Sequence, residues 1–181
     1  MADLVGLVLA GGQSLRMGRD KADLILDNER LVDRATSLLK NAGCKKVLLS
    51  GAGGLDDRYP KGGPLSGIDA AVSILPDLAK ILIIPVDMPN LSNTLLQVLI
   101  KKSIDTSGVY FRSQPLPFCM TISEQVRDHL HEALTKTDSD RSLFCLFQAL
   151  KFTQLLPPVN SEQLFENCNT PEQFTAMGGR L

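Results

Sequence analysis

The sequence has almost no excess of either charge. Lys and Arg number 19 against 20 Asp and Glu, a net charge of −1. That excludes a broad basic surface for nucleic acid or an acidic membrane, so any cationic site must be local. Long apolar runs are missing too: none is long enough to span a bilayer. The N-terminus lacks the basic start and extended apolar segment of a signal peptide. The four cysteines, Cys44, Cys119, Cys145 and Cys168, form no Cys-x-x-Cys pair. This leaves no metal or disulfide framework and points to a reducing cytoplasm, with the thiols as small buried hydrophobes. His129 and His131 stand two apart on a predicted helix, so they cannot form an i, i+4 metal pair and read as surface residues. There is no Ser-His-Asp motif, internal repeat, low-complexity tract or linker. Hydrophobic residues make up 44% with a mean hydropathy of +0.04. Residues 1–181 therefore read as one soluble globular domain.

What the sequence does contain is concentrated between Leu4 and Ala22. Leu4 to Ala10 is a short apolar run that reads as a buried, parallel strand. Gly11-Gly12 breaks it. Glycine admits positive φ and lets a ligand approach the main chain, and successive bare N–H groups make an anion cradle. Arg16 and Lys21 follow in the same loop. A guanidinium grips phosphate oxygens in bidentate fashion and an ammonium acts as a point charge, so the loop suits a polyphosphate. It is not a Walker A loop, because five residues separate Gly12 from Gly18 and Arg19-Asp20 follow. The dinucleotide fingerprint Gly-x-Gly-x-x-Gly is absent as well.

Further along, Asp23 to Arg30 reads as a polar turn with Asp27-Asn28 at its tip. Leu31, Val32, Ala35, Leu38 and Leu39 recur at helical spacing, and Gly43 occupies the C-cap. Val47–Ser50 is the next strand, which makes a right-handed parallel crossover. Ser50 to Lys61 is loop. Gly62 to Gly67 opens a short helix, Ile68 to Leu75. Ile81–Ile84 is the strongest buried strand, and it ends in Pro85-Val86-Asp87-Met88-Pro89. Ser92 caps a helix from Asn93 to Lys101. Gly108–Arg112 and Phe118–Ile122 are strands, and Gln114 to Pro117 is a loop because prolines interrupt a ladder. Helices follow from Ser123 to Leu134 and from Arg141 to Leu150, then a strand from Phe152 to Leu156. Thr170 and Gln173 make a capping box with Pro171 at the first helical position. The alternation predicts an α/β fold, a three-layer α/β/α sandwich with a mostly parallel sheet. Ligands bind such sheets beyond the carboxyl ends of the strands, where Gly11, Ser50 and Asp87 all fall. By residue type alone, Asp87 either holds a divalent cation or starts a turn.

The run Leu9-Ala10-Gly11-Gly12-x-Ser14-x-Arg16-Met17-Gly18-x-Asp20-Lys21 resembles the signature of nucleotidyltransferases, and of molybdenum cofactor guanylyltransferases in particular. Val86-Asp87-Met88-Pro89 is similar to that family's metal-binding Asp-x-Pro. Gly63-Pro64-Leu65-Ser66-Gly67 is similar to its Gly-Pro-Leu-x-Gly, and Asn169-Thr170-Pro171-Glu172 to its C-terminal Asn-Thr-Pro-Glu. The resemblance covers nearly the whole chain. It implies the Rossmann-like nucleotidyltransferase fold and a Mg²⁺-dependent transfer of GMP from GTP to molybdopterin, with release of pyrophosphate. It implies catalytic roles for Arg16, Lys21 and Asp87, with the metal on Asp87. Nucleotide contacts then fall to Leu9, Ala10, Gly11, Gly12, Lys21, Ser50, Asp57, Gly63, Pro64 and Asp87. Acceptor contacts fall to Gln114, Pro115, Asn167 and Asn169, with Asp140-Arg141-Ser142-Leu143 on the same side. The implied partners are the two small-molecule substrates and proteins that deliver or accept the cofactor. Two departures stand out. Ser50-Gly51 replaces the family's asparagine, and the short Ser50–Gly63 segment leaves Asp56 or Asp57 to replace its aspartate. The rival readings are a cytidylyl- or sugar-phosphate nucleotidyltransferase, or a nucleotide- or pterin-binding protein without turnover.

Overall fold

The structure, a computed structural model, describes residues 3–11, 21–51, 53–136 and 139–180. Its centre is a six-stranded sheet. In chain order the strands are β1 (Leu4–Leu9), β4 (Lys46–Ser50), β5 (Lys80–Pro85), β6 (Gly108–Phe111), β7 (Gln114–Thr121) and β8 (Thr153–Leu155). Their order across the sheet is β4-β1-β5-β7-β6-β8, and only β7 runs antiparallel to its neighbours. The helices are α1 (Leu31–Asn41), α2 (Pro64–Ser73), α3 (Asn93–Lys102), α4 (Glu124–Thr135), α5 (Leu143–Ala149) and α6 (Pro171–Ala176).

Side-chain alternation along the strands builds two cores, one on each face of the sheet. Val5, Leu7, Ile81, Ile83, Phe118 and Met120 point one way, onto α2, α4 and α5. Val8, Leu82, Ile84 and Cys119 point the other way, onto α1 and α3. Because both faces are covered, these strands are apolar almost throughout, as expected for buried parallel sheet. On the first face Phe147 is fully buried. Its ring stacks on Tyr110 at 4.3 Å and on Phe152 at 5.3 Å, and meets Phe118 edge-on at 5.0 Å.

Local chemistry sets the element ends. Ser92, Ser123 and Ser142 accept hydrogen bonds from the N–H groups of Leu95, Val126 and Cys145, which caps α3, α4 and α5. The capping box at Thr170 and Gln173 is present. Helix α2 starts at Pro64, four residues before the expected Ile68, because Pro64 takes the first helical position after Gly63 at φ +62. The expected polar turn from Asp23 to Arg30 is a small hairpin. Strands β2 (Ile25–Leu26) and β3 (Glu29–Arg30) flank Asp27 and Asn28, both at positive φ, and β9 (Gly179–Arg180) adds to β2. Two-residue strands are too short to leave a periodic signal. Residues Gln114 to Pro117, expected as a loop, belong to β7. Pro115 and Pro117 fall where the β6–β7 register shifts, between pairs Phe111–Gln114 and Tyr110–Phe118, so no ladder bond is asked of them. The expected helix from Arg141 begins at Leu143, and a 3₁₀ turn spans Glu162–Phe165.

Three cysteines are buried as expected, but Cys145 is half-buried. His129 is also only half-exposed, with Nε2 buried and without a partner. Loss of water pushes the Cys44 thiol up to about 12 and that of Cys119 to about 11. No helix among the described residues is long and apolar enough to cross a membrane.

The Phe147→Ala substitution should cost about 3–5 kcal/mol, because it empties the centre of the aromatic cluster. Urea unfolding monitored by circular dichroism measures that loss as a lower midpoint at unchanged slope.

Candidate active site at the strand ends

The carboxyl ends of β1, β4 and β5 converge. The Ala10 N–H donates to the Ser50 carbonyl at 2.9 Å, and the Val86 N–H donates to the Leu9 carbonyl at 3.1 Å. The ladder is thus extended past the strands, and the three chain ends leave the sheet side by side. Gly51 follows at φ +78, where a Cβ would lie 2.5 Å from the Gly11 Cα. Only glycine satisfies both that conformation and that approach. Helix α2 closes in from the other side. A Cβ on Gly67 would lie 2.1 Å from Ser50 Oγ and 2.7 Å from its Cβ.

These close contacts border a cavity of about 970 Å³. Leu9, Ala10 and Gly11 line it from the end of β1, and Ser50 from β4. Asp57, Pro60, Lys61, Gly63 and Pro64 line it from the loop leading into α2. Pro85, Val86 and Asp87 line it from the end of β5, with Leu116 and Asn167 completing the wall. Of the expected residues, Leu9, Ala10, Gly11, Ser50, Asp57, Gly63, Pro64, Asp87 and Asn167 are therefore brought together. Gln114 and Pro115 start β7 and are not in the lining; their neighbour Leu116 is. Asn169 is not in the lining either, and its N–H donates to Gln173 Oε1 at 2.8 Å. Gly12, Arg16 and the side chain of Lys21 lie outside the described residues. Arg141 holds the end of α4, donating from Nε to the Ala133 carbonyl at 3.3 Å, a role that a cation fills well at a helix C-terminus.

Among its described residues the loop from Ser50 to Gly63 carries no further strand, only a bridge between Ser50 and Leu55. It is instead pinned to the helices. Arg58 Nη1 stands 3.5 Å from Oδ2 of Asp69 in α2, and the Tyr59 hydroxyl is 3.2 Å from Nδ1 of His131 in α4. The Tyr59 carbonyl accepts from Ser66 Oγ and from the Gly62 N–H. Asp69 is buried, and the loss of water raises its carboxyl above the ordinary range, partly offset by Arg58 and His131. Between Asp56 and Asp57, the second reaches the cavity. Partial burial and the adjacent Asp56 charge raise the Asp57 carboxyl.

The end of β5 is tied to a segment far along the chain. The Asp87 carbonyl accepts from the Cys168 N–H at 2.8 Å and from its Sγ at 3.4 Å. Cys168 is fully buried. Just after it, Gln173 Oε1 accepts from the N–H groups of Asn169 and Thr170, so the same segment is fixed from α6. Asn167 is thereby delivered to the cavity beside the β5 end. Sequence reasoning did not name Pro60, Lys61, Pro85, Val86 or Leu116 as site residues. Lys61 sits in an otherwise ordinary Gly/Pro-rich loop, and only its place next to Gly62-Gly63-Pro64 hinted at the cleft.

A doubly covered, mostly parallel sheet with a glycine-lined cavity at its carboxyl ends defines a nucleotidyltransferase-type α/β protein. Solved structures agree at the level of fold. Molybdopterin-guanine dinucleotide biosynthesis protein A from Archaeoglobus fulgidus superposes with a TM-score of 0.67 at 17% identity, over 96% of each chain. A 4-diphosphocytidyl-2C-methyl-D-erythritol synthase from Anaerococcus prevotii gives a TM-score of 0.72 at 10% identity, over 97% of this chain and 94% of that one. Residues 6–151 match the MobA-like NTP transferase domain. The molybdenum cofactor guanylyltransferase of Xanthomonas euvesicatoria is 36% identical over 176 residues, 95% of this chain and 93% of that one. The chain belongs to the MobA-like NTP transferase family.

The contact between α2 and β4 is open to test. Gly67→Ala places a methyl group on Ser50 and should destabilise the fold by about 1–3 kcal/mol while shifting α2 at the cavity wall. Ser50→Gly in that background removes the clashing atoms and should recover most of the loss. A double-mutant cycle by thermal unfolding measures the coupling.

Proposed function

We propose that the chain is a molybdenum cofactor guanylyltransferase, which transfers GMP from GTP to molybdopterin and releases pyrophosphate. The observation that carries this reading is the 36% identity with the Xanthomonas guanylyltransferase over 95% of the chain. In the reaction, a terminal phosphate oxygen of molybdopterin attacks the α-phosphorus of GTP. A new P–O bond forms as the bond from the α-phosphorus to the bridging oxygen breaks, and pyrophosphate leaves with that electron pair.

The residues fit these demands. Glycine at the end of β1 lets a phosphate approach the main chain. Asp87 offers one carboxylate at the cavity, and among the described residues no three His, Cys, Asp or Glu cluster to hold a metal. One carboxylate ligand is enough for Mg²⁺, which keeps several waters and takes its remaining ligands from substrate phosphates. When bound there, Mg²⁺ would neutralise phosphate charge and polarise the α-phosphate. Arg16 and Lys21 would add positive charge to the triphosphate. Asn167 would meet the pterin side from the cavity wall, with Cys168 holding it beside Asp87, and Asn169, Gln114 and Pro115, which lie outside the lining, would meet the acceptor only beyond the cavity edge. Such a reaction asks the protein for positioning and electrostatics rather than covalent chemistry. Both substrates are small cytoplasmic molecules under this reading, and the proteins that deliver or accept the cofactor would dock at the cavity mouth.

Asp87→Asn keeps the shape and removes the charge. Turnover, followed as pyrophosphate release with saturating GTP, molybdopterin and Mg²⁺, should drop by about 10² to 10³. Asn at full activity would put the metal elsewhere. Asp23→Asn and Asp27→Asn, on the exposed hairpin side, should leave turnover close to wild type.

A further inference from the structure

Lys61 is the only cationic side chain among the described residues that line the cavity. Its exposed side chain makes no ion pair among the described residues. Its backbone holds φ +69, a conformation uncommon outside glycine, asparagine and aspartate. The loop around it is fastened by Arg58 to Asp69, by Tyr59 to His131, and by two donors on the Tyr59 carbonyl. Four anchors hold an unpaired cation at the edge of a cavity. Backbone strain retained in this way points to a task for the side chain.

Sheet order decides which part of a nucleotide meets it. Asp57 and Lys61 come from the loop after β4, and Asp87 from the end of β5, with β1 between those strands. Asp57 and Lys61 therefore enter the cavity from the β4 side of β1, and Asp87 enters from the β5 side. With the phosphates toward Asp87, the base lies toward β4. A neutral base facing a carboxylate and an ammonium must offer donors to one and an acceptor to the other. Guanine does so on a single edge: N1–H and the N2 amine are donors, and O6 is an acceptor. In the orientation that gives Asp57 the N1–H and N2 amine of guanine, adenine and cytosine would present an amine to the ammonium in place of O6.

We infer that Lys61 is a specificity residue of this chain, donating from its ammonium to O6 of guanine while Asp57 accepts from N1–H and the N2 amine. This rests on the guanylyltransferase reading. The loop that replaces the longer segment of the family pattern then supplies base recognition through a short, clamped turn.

Calorimetric titration with Mg²⁺ tests it, using GTP, CTP, ATP and 2-aminopurine riboside triphosphate, which lacks O6 and the N1–H but keeps the N2 amine. Lys61→Met keeps the length of the side chain and removes its charge. It should weaken GTP by about tenfold or more and leave 2-aminopurine riboside triphosphate unchanged. Lys61→Arg keeps a donor and should retain the preference for GTP. Matching melting temperatures show that the variants are folded. Equal losses for all four nucleotides would make Lys61 a phosphate contact and overturn the inference. So would an undiminished GTP preference in Lys61→Met. If the wild-type protein itself binds GTP, CTP and ATP alike, the guanylyltransferase reading fails, and the base-reading role falls with it.

Discussion

The whole cleft depends on how closely bare backbone packs around Ser50. Gly51 lies against Gly11, and Gly67 brings α2 onto the Ser50 side chain. Adding one carbon at either glycine would force apart elements that must meet, because protein interiors have no slack of that size. The result is a rigid corner formed by two strand ends and a helix. A rigid corner matters for phosphoryl transfer, where correct placement supplies much of the catalytic effect.

Around that corner, the cavity is assembled from three segments that are remote in sequence and fastened by different contacts. The β1 end is held by the ladder on both sides. The loop before α2 is held by side chains, chiefly Arg58, Tyr59 and Ser66, that reach α2 and α4 or are met from them. The segment around Cys168 is held by backbone donors at both of its ends. Each uses a different means to the same end: these segments have partners of their own before any ligand arrives. Preorganisation of this kind lowers the cost of ordering on binding.

Much of this was legible in the sequence because it rests on strong, local signals. Apolar runs such as Ile81–Ile84 can be only buried strands in a chain with this spacing of glycines and helices, and the position of Asp87 follows from them. The serine caps and the Thr170–Gln173 box were equally clear, since capping uses few residue types at fixed offsets. What stayed hidden depends on distant partners. Nothing local marks Gly51 as the point where β4 touches β1, or Cys168 as the donor to Asp87, since both contacts join residues remote in sequence. Prolines at Pro115 and Pro117 argued for a loop because a register shift cannot be seen from one strand alone. Lys61 carried no signal of its own, since a lysine in a polar loop is normally solvated.

The tie between Cys168 and the Asp87 carbonyl spans 81 positions. Contacts between residues so far apart close late, because chain entropy opposes them until most of the intervening structure has formed. Strands β1, β4 and β5 and the helices between them are all complete before residue 103. During synthesis from the N-terminus, at about 5–20 residues per second, those elements leave the ribosome several seconds before Asn167 does. A nascent chain therefore holds the β4-β1-β5 half of the sheet before the rest of the core and the far wall of the pocket exist. Among the described residues, the wall of the pocket is completed by the last of its lining residues to emerge, Asn167.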